Sequence, residues 1–329
     1  MHTMDYSTFP QLVQNYLDYL TSTKAKSELT VQGYALDLQL FFRFLMQRRG
    51  LVSKDIPFES ISIQSLDADF FKTVRLEDAY AFLAYCQRSR QNDAAARARK
   101  AVAIKRFYRY LALDQRYLER NPLQELESPK IRKSLPKYLT LEQSVDLLQC
   151  VDGNFRERDY CILTLFLNCG LRLSELVGLN LSDLRTDDTV RVVGKGNKER
   201  TLYLNAACQA ALRRYLRVRP ADGLADRDAL FISRNKRRIS VRAVEDIVNK
   251  FLKKAGLDGQ GYSVHKLRHT AATLMYQHGN VDVLQLKEIL GHENLSTTEI
   301  YTHIVNEQLR EAVNANPLAN LSPSDDQEN

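Results

Sequence analysis

Six side chains of this 329-residue chain are of the types needed to break a phosphodiester without a metal: Arg172, Lys195, His265, Arg268, His292 and Tyr301. Such a reaction needs a nucleophile, positive charge at the two non-bridging oxygens, and a proton for the leaving 5′ oxygen. A tyrosine hydroxyl can attack once a neighbour accepts its proton, because its free pKa is about 10. Arginine suits the oxygens, since its planar fork donates parallel hydrogen bonds and never loses its charge. Lysine can protonate the leaving group, because its pKa moves readily in a cationic pocket. Five of the six histidines (265, 269, 278, 292 and 303) fall in one C-terminal stretch, and Tyr301 follows His292 by nine residues. That clustering makes Tyr301 the candidate nucleophile toward a DNA phosphodiester.

Each residue alone has a plainer reading. Arg172 could be a surface arginine, Lys195 a turn residue, His292 a helix-end polar group after Gly291, and Tyr301 a half-buried core aromatic. His265 and His269 also have the four-residue spacing of a zinc-binding helix. Lys266, however, stands where a zinc protease carries its glutamate base, and a cation is unfavourable beside a metal.

These residues need elements to position them, and the periodicities predict mostly helices. Tyr34, Leu38, Phe41, Phe42 and Leu45 recur at three-and-four spacing within Thr30–Arg48, the pattern of a helix with one buried stripe. Further helices are predicted from near Pro10, over Leu76–Cys86, and from Asp93 to about Leu111. In the last of these, Ala103, Phe107, Tyr110 and Leu111 share a core face, leaving Arg99, Lys105, Arg106 and Arg109 to point elsewhere. Pro122, Pro129 and Pro136 then punctuate an aperiodic basic stretch that reads as a linker. Beyond it, Thr140 and Gln143 have capping-box spacing, and a helix from about Glu157 ends at Gly170. Arg172 begins the next helix, whose dipole would favour a bound phosphate. Val190–Val193 and Thr201–Leu204 flank Gly194-Lys195-Gly196-Asn197-Lys198-Glu199-Arg200, a predicted hairpin with a basic tip. Later helices are predicted from Ser240 to Gly256, from Ser263 to Gly279, as a short one ending at Gly291, and from Ser296 or Thr297 through Tyr301. His265 and Arg268, three apart on one helix, are expected on the same side.

The fold class expected is therefore mainly α with a small antiparallel β-sheet, in two domains. The boundaries are residues 1–125, a linker 126–139, a second domain 140–315 and a polar tail 316–329. Lys and Arg number 47 against 40 Asp and Glu, a net charge of +7. The excess is clustered in Arg97–Arg109, Lys130–Lys137 and Arg234–Arg242, which favours a polyanionic partner, nucleic acid above all. Arg99, Lys105, Lys130, Arg132, Lys133, Arg238 and Arg242 are the candidate DNA contacts. The five cysteines (86, 150, 161, 169 and 208) are scattered with no Cys-x-x-Cys pair, as in the reduced core of a cytosolic protein. The N-terminus lacks a signal-peptide layout, and the longest apolar run, Tyr160–Leu171, is too short to cross a bilayer. A cytoplasmic protein with no membrane association is expected.

The six candidate residues occur within Gly170-Leu-Arg172-Leu-Ser-Glu175-Leu, Gly194-Lys195-Gly196-Asn-Lys-Glu-Arg200, His265-Lys-Leu-Arg268-His269 and Leu290-Gly291-His292, followed by Tyr301. In this order they resemble the tyrosine recombinase (phage integrase) family, with the strongest likeness to its Xer-type bacterial members. The catalytic-domain resemblance runs from about Thr140 to Val313, and the helical first part resembles the family's core-DNA-binding domain. The resemblance implies a two-domain DNA clamp and a site-specific recombinase working through a 3′-phosphotyrosine intermediate. In these roles Tyr301 is the nucleophile, Arg172 and Arg268 clamp the phosphate, and Lys195 protonates the leaving oxygen. His265 assists proton transfer with Tyr301, and His292 hydrogen-bonds the phosphate. It implies no metal or other cofactor. The implied partners are double-stranded DNA with a two-arm site and further copies or a paired recombinase, as a tetramer on synapsed DNA. Chromosome dimer resolution is the expected role; the alternative is an integrase of a phage or conjugative element. A type IB-like topoisomerase would use nearly the same residues but act as a monomer with no two-arm site, and an inactive DNA-binding regulator would have no use for Lys195 or Tyr301. Two features depart from the Xer pattern: the length of the Leu51–Val74 segment and the polar tail after Pro317.

Overall fold

The computed structural model describes residues 4–53, 55–130, 137–194, 197–279 and 281–291. The chain divides into two units, Met1–Lys133 and Ser134–Asn329.

The first unit is helical: α1 (Gln11–Ser22), α2 (Glu28–Arg48), α3 (Ala68–Lys72), α4 (Leu76–Arg88) and α5 (Ala94–Arg109), the last running into a π-turn at Tyr110–Asp114. α5 starts where predicted, because the Asp93 side chain accepts from the Ala96 amide at 2.7 Å, satisfying an otherwise unpaired helix-end donor. The core is built on edge-to-face aromatics, with Phe42, Phe71 and Phe107 mutually in contact at centroid separations of 5.1–5.8 Å. The unusually long Leu51–Val74 segment joins this core: Ile61, Ile63, Phe71 and Val74 are buried, and Arg43 Nε donates to the Ile61 carbonyl at 2.9 Å.

The basic residues of α5 are not all surface charges. Asp37 on α2 is buried and accepts from Lys100 Nζ at 2.7 Å and Arg99 Nη1 at 2.5 Å. Arg106 donates to the Tyr34 hydroxyl and Lys105 to the Leu126 carbonyl. Part of the positive charge read from the sequence therefore fixes α5 against α2 and the chain that follows.

In the second unit, α6 (Leu141–Gln149) opens on the predicted capping box, Thr140 and Gln143 exchanging both side-chain-to-backbone bonds. α7 (Arg156–Cys169) is buried almost all round, and α9 (Ala206–Val218) and α11 (Val264–His278) pack on it. Between them lie α8 (Leu173–Gly178) and the antiparallel pair β1 (Thr189–Val193) and β2 (Glu199–Tyr203), in a register that sets Val192 opposite Arg200. α10 (Val241–Lys254) and α12 (Val283–Leu290) complete the described elements. Thr270 on α11 accepts from the Leu139 amide at 2.9 Å, tying the start of the unit to the helix that carries His265 and Arg268. The predicted helix through Tyr301 lies outside the described residues. No helix among the described residues is long and apolar enough to cross a membrane.

Asp37→Ala would strand the Lys100 ammonium, whose side chain is only 10% exposed. The expected loss is about 3–5 kcal/mol, read as a lower urea midpoint with unchanged slope. A loss below about 1 kcal/mol would mean that water screens the pair as it does at a surface.

Candidate active site

Three segments, α8 with its N-cap, β2 and α11, bring three arginines onto one carboxylate. Glu175, in the first turn of α8, is buried to 3% exposure. Its Oε2 accepts the Arg172 backbone N–H at 2.8 Å, and its Oε1 accepts Arg172 Nη1 at 2.7 Å. Arg200, on β2, adds a two-pronged contact, Nη1 to Oε1 at 2.7 Å and Nη2 to Oε2 at 2.9 Å. Arg268 Nη1 lies 3.9 Å from Oε2. Burial alone would raise the Glu175 pKa, but the hydrogen bonds and charge of Arg200, with the hydrogen bonds of Arg172, override it and hold the carboxyl at about 2. Three guanidiniums against one carboxylate leave a local charge of about +2, suited to an anionic phosphate. The predicted dipole contribution is small beside this, since α8 spans only six residues.

The same arginines also bind the carboxyl end of α12. Arg200 Nε donates to the Ile289 carbonyl at 3.2 Å, Arg268 Nη2 to Leu290 at 2.6 Å, and Arg172 Nη2 to Gly291 at 2.7 Å. Three successive carbonyls, unpaired by the helix itself, thus accept from three different arginines. Arg268 Nη1 also donates to the Gly170 carbonyl at 2.5 Å, at the end of α7. Gly170 and Gly291 both adopt left-handed conformations, with φ of 58° and 64°. A Cβ on Gly170 would lie 2.7 Å from Leu290 Cδ2, and one on Gly291 would lie 3.1 Å from Arg200. Both helix ends need glycine for backbone conformation and for close approach.

His265 lies at the exposed edge of α11, whereas Arg268 turns inward and is buried, so the two diverge more than their spacing predicts. The His265 pKa is held below its ordinary value by partial loss of hydration, then by the charges of Arg268, Lys266 and Arg172. His269 is pushed down to about 4 by burial, then by His265, Lys266 and Arg268. The two Nε2 atoms are 3.2 Å apart, a hydrogen bond that requires at least one neutral ring. His265 is thus available near neutral pH to accept a proton.

Of the six residues predicted to do chemistry, the structure brings Arg172, His265 and Arg268 together; Lys195, His292 and Tyr301 lie outside the described residues. Among the candidate DNA contacts, Arg132 and Lys133 also lie outside them, and Lys130 and Arg242 are exposed. Arg99 is half exposed but paired with Asp37. Arg238 is committed to the fold, donating to the Val177 and Leu179 carbonyls, Asn180 Oδ1 and Asp226. Sequence reasoning missed two residues of the site, Glu175 and Arg200. Arg200 was placed in the hairpin tip, but β2 begins at Glu199, and Arg200 therefore shares the inward face with buried Leu202.

Residues 137–308 match the phage integrase family, and residues 13–61 match the phage integrase N-terminal SAM-like domain. The chain is 53% identical over 316 residues to tyrosine recombinase XerC of Caldanaerobacter subterraneus subsp. tengcongensis, covering 96% of this chain and 89% of that protein. It is 33% identical to tyrosine recombinase XerD of Proteus mirabilis, covering 91% and 90%. In fold it is similar to the XerH site-specific recombinase bound to palindromic difH DNA, with a TM-score of 0.67 at 21% identity, covering 92% of this chain and 83% of that one.

The depressed Glu175 pKa makes the site a pH-dependent source of stability. A folded-state value of about 2 against an ordinary 4.5 stabilises the folded chain above pH 4.5, and that contribution is lost as pH falls toward 2. Between pH 7 and pH 3 the native chain should lose about 2 kcal/mol more than the Glu175→Gln variant in urea unfolding. Identical losses in the two chains would show this carboxyl titrating like an exposed glutamate.

Proposed function

The chain belongs to the phage integrase family of tyrosine recombinases, and from that premise we propose that Tyr301 attacks a DNA phosphodiester held by Arg172 and Arg268. The enzyme is a site-specific recombinase that cleaves and rejoins DNA. The observation that carries the catalytic reading is the cluster of three arginines on one buried carboxylate, with His265 at its edge.

In the proposed step the Tyr301 oxygen bonds to phosphorus while the bond to the 5′ oxygen breaks, leaving a 3′-phosphotyrosine. His265, unprotonated near neutral pH, accepts the tyrosine proton. Arg172 and Arg268 neutralise charge developing on the non-bridging oxygens, their forks already oriented by Glu175 and by carbonyls, so little reorganisation is needed. Each terminal guanidinium nitrogen of Arg172 carries two hydrogens, so its bonds to Glu175 and Gly291 orient the fork without using every donor. Lys195 gives the 5′ oxygen its proton, and His292 hydrogen-bonds the phosphate. A free 5′ hydroxyl of a partner strand reverses the step, and the energy of the broken strand is kept in the phosphotyrosine bond.

Both units are proposed to bind the duplex, with further copies or a paired recombinase completing a tetramer on two synapsed sites. Likeness to XerC over nearly the whole chain favours resolution of chromosome dimers over service to a mobile element. A cytoplasmic location follows from that role, and it fits five free cysteines; burial pushes the Cys86 thiol up to about 11.

With a nicked suicide duplex, the native protein should accumulate a DNA adduct that survives detergent, whereas Tyr301→Phe should bind the same DNA and form none. An adduct mapping to another tyrosine would overturn the assignment. Lys195→Ala should lose cleavage on ordinary DNA and regain most of it when sulfur replaces the leaving 5′ oxygen, since a thiolate departs without a proton. Equal inactivity on both substrates would give Lys195 a binding role instead.

A further inference from the structure

The arginine on β2 has no role in the chemistry just described, yet its side chain makes two hydrogen bonds to the site's carboxylate where that of Arg172 makes one. Arg200 binds both oxygens of Glu175, at 2.7 and 2.9 Å, with a side chain only 14% exposed. Its third nitrogen, Nε, is fixed on the Ile289 carbonyl, and its aliphatic stem and guanidinium lie against Gly291. A guanidinium held at both edges and packed against a glycine is rigid. It is also less open to a phosphate than Arg172, whose side chain is 34% exposed.

We propose that Arg200 is a positioning residue for the phosphate clamp, acting through Glu175 on Arg172. Two physical effects lead to this. The first is geometric. The Glu175 carboxylate accepts from the Arg172 backbone and side chain with one oxygen each. The plane of that carboxylate sets the direction of the Arg172 fork, and the two bonds from Arg200 fix the plane. The second is electrostatic. Without Arg200, the Glu175 charge would be shared by Arg172 and, more distantly, Arg268, and the net charge available to a phosphate would fall from about +2 to about +1. Arg200 thus offsets the carboxylate that orients Arg172, leaving the charge of Arg172 to act on substrate. Lysine could supply the charge but not the fork.

The inference rests on the phosphodiester chemistry proposed above. Single-turnover cleavage of the nicked suicide duplex tests it, with half-site affinity measured in parallel. Arg200→Ala should cleave about 100-fold more slowly, with affinity unchanged within about twofold. Arg200→Lys should recover only part of that rate. The decisive comparison is a double-mutant cycle with Glu175→Gln: if Arg200 acts through the carboxylate, removing it from the Glu175→Gln chain should slow cleavage by less than about threefold. A further 100-fold loss in that background, or a native rate in Arg200→Ala, would overturn the proposal. If Arg200→Ala fails to fold by circular dichroism, the same cycle run with Arg200→Lys decides between the same outcomes. Absence of any adduct from the native protein would instead refute the underlying phosphotyrosine chemistry.

Discussion

The buried carboxylate of Glu175 is the interaction on which the rest of the site depends. Three guanidiniums drawn from α8, β2 and α11 would repel one another if crowded without a counter-charge. A single ionised glutamate, held at about pKa 2, lets them converge while leaving the centre positive. The arrangement separates two demands that usually conflict. The fold needs its buried charges paired, and the reaction needs uncompensated positive charge where a phosphate will bind. One carboxylate for three arginines meets both.

The carboxyl end of α12 supplies the remaining acceptors. Its last carbonyls, on Ile289, Leu290 and Gly291, each take a hydrogen from a different arginine. The chain that continues into His292 and Tyr301 is therefore anchored, at its point of departure, to the same groups that orient the clamp. A shift of α12 would be felt by all three arginines at once. Gly170 and Leu290 pack closely at that joint, with no room for a Cβ between them as they stand.

Much of this was legible in the sequence because it was written in helix signals. Asp93, Thr140, Ser240, Gly170 and Gly291 cap helices as their types predict. Arg172, His265 and Arg268 were identified by residue type and order. The electrostatic partners were less legible. A glutamate three residues into a helix reads as a surface residue or capping group, and only tertiary contact shows it buried beneath three arginines. Arg200 was hidden by strand register: beginning β2 two residues early turns a loop-tip arginine into an inward-facing one. The α9 stripe of Cys208, Ala211, Leu212 and Tyr215 had helical spacing and an Asn205 cap, and went unread among flanking arginines. Basic clusters misled in the other direction, since composition cannot separate Lys100 and Arg238, committed to the fold, from arginines that face solvent.

The central claim is that the arginine cluster works by neutralising charge on a scissile phosphate, and replacing one non-bridging oxygen of that phosphate with methyl tests it most directly. A methylphosphonate has no negative charge to neutralise, but it offers the same phosphorus to the nucleophile. The account predicts that Arg172→Ala, slow on ordinary DNA, cleaves the methylphosphonate duplex at least about tenfold faster than its own phosphodiester control. Equal slowness of that variant on the two substrates would contradict the account.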